Sequence, residues 1–243
     1  MTLTKSLLRA IASLVPRSWV GAVEYHVKSL ALDTYGAFNG QFFRQLIFFD
    51  LNKACRFEAM VETGTFVGGT AEFLVENTQV PVHTVEMNPR YFAVAKRHLK
   101  PFPRVHPVLG NSVEFLKALP MAPETRVFFY LDAHWRSHLP LREETEFIFS
   151  RFRDFVIMID DFAVSGDDGY RFDDYGEGNQ LSLRDFPFHN DPRVSVYFPS
   201  RRSNEDSGTP CGCVVLASQS LTPIVDSLEC LRRVHALELE AVS

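Results

Sequence analysis

From about residue 57 onward, apolar runs of strand length alternate with segments whose apolar positions recur at helical spacing. This alternation predicts a parallel α/β sheet. Strands are expected at 58–63, 82–86, 104–109, 126–132 and 155–160, with helices near 69–77, 89–99, 111–119 and 140–151. Pro89 directly behind Asn88 reads as a first-turn proline after an N-cap, and Asn111 followed by Glu114 reads as a second helix start. Further on, 193–198 and 212–217 read as strands around a polar, turn-rich stretch at 199–211, and 219–239 as a terminal helix. After the fifth strand come about thirty residues without a strong period. Within them, 166–179 is crowded with Gly, Asp and aromatics, and a solvated, mobile loop over a site is expected there.

Residues 1–56 read as helices packed on this unit, so two segments are expected, 1–56 and a domain over 57–243. Leu7, Leu8, Ile11, Leu14 and Val15 lie at helical spacing beside Lys5, Arg9 and Arg17. The expected reading is an amphipathic helix that docks on the body or on a second copy, giving a homodimer. A secretory leader is not expected, because Arg9 and Arg17 break and bound the apolar stretch and no clear cleavage site follows, and stable membrane insertion is not, because no segment reaches the ~18 uninterrupted apolar residues of a span; a membrane-surface or organelle-targeting role is the minority reading. The 243 residues suffice for one sizeable core, with 46% hydrophobic and 23% charged residues. A net charge of −5 argues against a general nucleic-acid binder. Cys55, Cys211, Cys213 and Cys230 show neither a CxxC pair nor metal-ligand spacing, which fits reduced thiols of a cytoplasmic protein.

The chemistry gathers at strand ends. Glu62 closes the first strand and is followed by Thr63-Gly64-Thr65-Phe66-Val67-Gly68-Gly69, a glycine-rich turn into a helix. Gly64 and Gly68 would remove Cβ atoms where a ligand approaches backbone. Glu86 ends the second strand, where a carboxylate can accept from both ribose hydroxyls of a nucleoside, with Met87 next to it. Asn111 and Ser112 stand at the matching place after the third strand, where they would line the base. The G-x-G-x-x-G dinucleotide fingerprint is absent. Asp132 ends the fourth strand, and Asp160 with Asp161 the fifth. An Asp at a strand end is commonly a turn or capping residue, but three on neighbouring strands suit a hard divalent cation.

Taken together, these residues resemble the class I S-adenosylmethionine-dependent methyltransferases, and more narrowly the metal-dependent catechol and sugar O-methyltransferases. The resemblance covers 56–165, through 83–99, the segment YLDAHWRSHLPL at 130–141 and IMIDDFAVSG at 157–166. It implies a Rossmann-like doubly wound, mostly parallel seven-stranded sheet with an antiparallel last strand. It also implies S-adenosylmethionine bound by Glu62, Gly64, Thr65, Gly68, Glu86, Met87, Asn111, Ser112 and Asp132, and Mg²⁺ or another dication on Asp132, Asp160 and Asp161. The catechol group holds Asn at the place of Asp161, whereas the sugar O-methyltransferases of antibiotic pathways, which the chain resembles at the same positions, also hold Asp; that resemblance favours a polyol or sugar-like acceptor over a catechol. Where the family carries a lysine stands Arg136, which keeps its proton. His134, with Asp132, is therefore the candidate catalytic group, as base or ligand, and His138 the weaker alternative. Trp135, Tyr170, Phe172 and Tyr175 would wall an acceptor pocket, and Gln41 and Arg44 would close the cofactor from the N-terminal side. The expected function is metal-assisted methyl transfer to a small-molecule hydroxyl. The rival readings are a catalytically silent cofactor- or partner-binding domain and an NAD-dependent oxidoreductase.

Overall fold

The computed structural model describes Pro16 and residues 36–134 and 139–234. Five adjacent strands run parallel: β1 (Ala59–Thr63), β2 (Val82–Glu86), β3 (Val105–Leu109), β4 (Val127–Leu131) and β5 (Phe155–Ile159). They are followed by β6 (Val194–Pro199), β7 (Val214–Ser218) and β8 (Leu231–Arg233). The order across the sheet is β3-β2-β1-β4-β5-β7-β6-β8. Strand β7 runs antiparallel to both neighbours, so the expected doubly wound, mostly parallel sheet with a reversed seventh strand is present. The eighth strand is an addition, antiparallel to β6.

Strands β1, β4, β5 and β7 are buried along their whole length, because helices cover both faces. Alternate residues therefore feed two cores. Val61, Phe129, Leu131, Ile157 and Ile159 pack against α4 (Ser112–Lys117) and α5 (Leu141–Arg151). Met60, Phe128, Tyr130, Val156 and Met158 pack against α1 (Phe42–Cys55), α2 (Gly69–Glu76), α3 (Pro89–His98) and α6 (Thr222–Val225). Asn88 caps α3 by accepting from the Arg90 N–H, with Pro89 in the first turn, and Asn111 caps α4 by accepting from Val113 and Glu114.

Two expectations change. The terminal helix expected over 219–239 is a short helix α6 followed by β8; 235–239 lies outside the described residues. Leu231 to Arg233 pair with Pro199 to Tyr197, giving the outer side of β6 the backbone partners a helix could not supply. The stretch after β5 is pinned rather than free. Asp173 N donates to Asp161 O, Leu181 N to Asp173 O, Ala163 N to Leu181 O, and Arg171 exchanges backbone bonds with Pro210 and Gly212. The amphipathic segment at 1–22 lies outside the described residues.

Candidate functional site

The C-terminal ends of β1, β2, β4 and β5 converge on one edge of the sheet, the usual ligand crevice of an open α/β fold. At the end of β1, Glu62 is buried and accepts a hydrogen bond from Thr84 Oγ1, which also meets Thr65 Oγ1. Burial raises the Glu62 carboxyl to about 8, the Thr84 bond opposes the rise, and the nearby Glu86 adds to it. The turn that follows is compact. Gly64 and Thr65 both donate to Val85 O, and Phe66 is a non-glycine residue at φ 50°. At Gly64 φ is +91°, and a Cβ would stand 2.1 Å from Asp132 O. The glycine is thus required by the packing of β1 against the β4 end, whatever binds beside it. Gly68, at φ +96°, begins α2 with little room before Leu99.

Glu86 joins two turns. One carboxylate oxygen accepts from Phe66 N at 2.8 Å and the other from Asn88 N at 2.7 Å. Burial moves its pKa up against these bonds. Beside it Met87 and Phe66 are exposed apolar side chains, and Phe66 packs edge-on against Tyr91. At the third position Asn111 spends its side-chain oxygen on the α4 cap, while Ser112 is buried. The hydroxyls of Ser112 and Thr63 flank the buried Glu144 carboxyl, whose pKa burial raises. Thr63 Oγ1, Ser112 Oγ and Glu144 Oε1 have no hydrogen-bond partner among the described residues. The sequence reading passed over Glu144. The signal was there, an acid on the stripe of helical period formed by Leu141, Ile148 and Phe149 of α5.

The acidic cluster is arranged differently from the grouping expected. Asp132, His134 and Asp161 bring one ligand atom each to within 4.8 Å of one another. That span is close to twice the 2.0–2.3 Å at which N and O ligands hold divalent ions, roughly the size of a coordination sphere. His134 Nε2 lies 3.9 Å from Asp132 Oδ1, from Asp161 Oδ2 and from Asp173 Oδ2. These are charge contacts rather than hydrogen bonds, and Nε2, its side chain 2% exposed, has no partner among the described residues. Burial lowers the imidazole pKa, but the acids around it, Asp161 first, turn the net shift upward. Asp132 is pushed well up by burial and by Asp160 and Asp161, while Asp161 is drawn down, its burial outweighed by His134. Asp161 itself sits at φ 48°, a left-handed conformation that Asp tolerates better than most residues.

Asp160 is buried below this group and already partnered. It accepts from the Arg44 guanidinium, from Asn39 Nδ2 at 2.9 Å, from Tyr130 OH at 2.5 Å and from Asp161 N at 2.8 Å. It therefore anchors the fifth strand's end, and the third member of the grouping is His134 in its place. Arg44 and Gln41, expected to close the cofactor from the N-terminal side, are held by polar partners inside the fold. Arg44 is buried between Asp160 and Cys211 O, and Gln41, also buried, reaches Asp206. Asp173, supplied by the pinned loop and held by Tyr175 OH, was not singled out by sequence, since nothing local shows which of the loop's acids turns inward. Tyr170 is buried and Phe172 exposed. Trp135, Arg136 and His138 lie outside the described residues.

No protein-family model and no curated protein sequence matches the chain. Solved structures do. An O-methyltransferase from Bacillus cereus in complex with S-adenosylhomocysteine is 16% identical with a TM-score of 0.57, over 88% of this chain and 97% of that one. TomG from Streptomyces achromogenes, an O-methyltransferase of tomaymycin synthesis in complex with S-adenosylmethionine, is 16% identical with a TM-score of 0.55, over 90% and 99%. The methyltransferase PaMTH1 from Podospora anserina, bound to S-adenosylhomocysteine, is 14% identical with a TM-score of 0.52, over 90% and 96%. With its sheet order, its reversed strand and its crevice of strand-end acids, this chain has the fold of the S-adenosylmethionine-dependent O-methyltransferases.

Proposed function

We propose that the protein transfers a methyl group from S-adenosylmethionine to a hydroxyl of a small molecule, polyol, sugar-like or catechol-like, with the help of a divalent cation. The observation that carries this reading is the Asp132–His134–Asp161 group at the ends of β4 and β5, beside the turn held by Glu86. Glu86 would accept from ribose hydroxyls through its remaining lone pairs, with Met87 and Phe66 flanking the nucleoside, a reading that its strand-end position and the exposure of those two side chains support. The group Asp132, His134 and Asp161 would hold the cation, which when bound supplies the positive charge that lowers an acceptor hydroxyl's pKa. His134 acts there as ligand more readily than as base, since its free nitrogen faces carboxylates and not an opening. The acceptor oxygen takes the sulfonium methyl, the sulfur keeps the electron pair of the broken C–S bond, and the hydroxyl proton passes to solvent water. We also propose that the N-terminal segment of 1–56 packs with the domain at 57–243, which the ties of α1 to Asp160 and Cys211 support.

Calorimetric titration tests the cofactor half. S-adenosylhomocysteine should bind and NAD should not. Glu86→Ala, which leaves two ribose hydroxyls and two backbone N–H groups without their acceptor, should weaken S-adenosylhomocysteine by roughly tenfold or more. Equal affinity in wild type and Glu86→Ala would remove Glu86 from the site. Transfer of labelled methyl to an extract of small metabolites separates a working enzyme from a silent cofactor-binding domain.

A further inference from the structure

Strands β2 and β3 carry two histidines that the functional reading leaves unused. His83 and His106 stand opposite each other in the parallel register of these strands. Side chains alternate along a strand, so both project from one face of the sheet, the face from which Val61 and Val85 enter the core. The pair lies at the open edge, since β3 has a neighbour on one side only. His106 is exposed and His83 half-buried, so an ion in solution reaches both.

The ring centres lie 4.8 Å apart, with the planes inclined by 35°. Aromatic pairs prefer offset stacks or edge-to-face contacts, and this inclination is neither. It suits a shared ion better. An ion about 2.0–2.1 Å from one nitrogen of each ring, at an angle between square (about 90°) and tetrahedral (about 109°), sets the ring centres roughly 4.5–5.2 Å apart. Burial and the neighbouring His106 lower the His83 pKa to about 4, and no acid opposes them. His83 is therefore the neutral imidazole that a metal ion binds.

We propose that His83 and His106 together bind one late first-row dication, Cu²⁺ ahead of Ni²⁺ and Zn²⁺, with water in the remaining positions. The ion fastens β3, whose side chains beyond Val105 are mostly exposed, to β2. It sits about 10 Å along β2 from Glu86, and β1 separates β2 from β4, so it is a site apart from the Asp132–His134–Asp161 group. The proposal does not depend on methyl transfer.

The test uses the full chain, freed of metal by chelator and given less than one equivalent of Cu²⁺. Pulsed electron paramagnetic resonance should show two imidazole nitrogens on the ion, where the strand-end group supplies one. His106→Gln, at an exposed position, should remove one nitrogen and weaken Cu²⁺ by roughly tenfold or more, and His83→Gln should do the same. His134→Gln should keep both nitrogens. Ni²⁺ should raise the thermal unfolding midpoint of wild type more than that of His106→Gln, because an ion that joins two strands binds the folded chain. A wild-type spectrum with a single nitrogen, both nitrogens surviving His106→Gln, or equal Ni²⁺ shifts in wild type and His106→Gln would each overturn the proposal. Loss of a nitrogen in His134→Gln would give the ion to the strand-end group and overturn it as well.

Discussion

Glu62 holds its proton in the folded protein to about pH 8, against an ordinary value of 4.5, because its burial penalises the charged form. The unfolded chain releases that proton earlier, so the native state binds more protons between the two values. Stability should be highest below about pH 4.5 as far as this group is concerned, and should fall as pH rises toward 8. Glu62→Gln keeps an acceptor for Thr84 without the charge. It should flatten the decline, with denaturant midpoints at pH 6 and pH 9 closer together than in wild type; an unchanged pH profile would show that Glu62 is not the group responsible. Gly64 is a different case. Its backbone conformation and the 2.1 Å approach of a Cβ to Asp132 O mean that even Gly64→Ala should destabilise the sheet, by about 2 kcal/mol or more. The expected readout is a lower unfolding midpoint without any ligand present, so loss of cofactor binding in such a variant says nothing about the pocket by itself.

At the scale of elements, helix α1 is tied to the site's floor by one buried ion pair. Arg44 and Asp160 both lie out of solvent, and each has further partners: Cys211 O for the first, Tyr130, Asn39 and Asp161 N for the second. Arg44→Met would leave the Asp160 charge buried without its cation, a loss of about 3–5 kcal/mol. Tyr130→Phe removes a single neutral donor and should lose about 1–2 kcal/mol. Chemical unfolding of the two variants checks the ordering, and Arg44→Met combined with Asp160→Asn should recover part of the loss. These ties also show what could be read from the chain. Strands β1, β4 and β5 announced themselves as apolar runs because both sheet faces are covered, and Asn88 and Asn111 announced their helices because capping is settled within a few residues. Strand β8 did not, because Leu231 to Arg233 are strand only by virtue of β6 beside them. Asp160 read as a metal ligand from its neighbours in sequence. Its ion-pair partner in the fold, Arg44, is 116 positions away, and no local pattern records such a contact.

The whole molecule places its acids with the same logic on a larger scale. The strand ends put Glu62, Glu86, Asp132 and Asp161 on one rim, and the sheet order keeps the first two beside β1 and β2 and the last two beside β4 and β5. That separation into two halves was legible as acids at strand ends. The inward turn of Asp173 and Glu144 was not, because it depends on how a long loop and a helix face settle on the finished sheet. The floor beneath the rim has a consequence for how the chain is made. Helix α1 is synthesised early, yet its polar ties run to Asp160, Asp206, Ser207 and Cys211, up to 167 residues later. On a ribosome, this helix must wait until the first two-thirds of the chain, through Asp160, has emerged before its buried cation meets a counter-charge. Arg44 is then in effect a late check on completion. A chain halted before β5 keeps that arginine in water, and α1 cannot seal the underside of the crevice until the strand that carries Asp160 is in place.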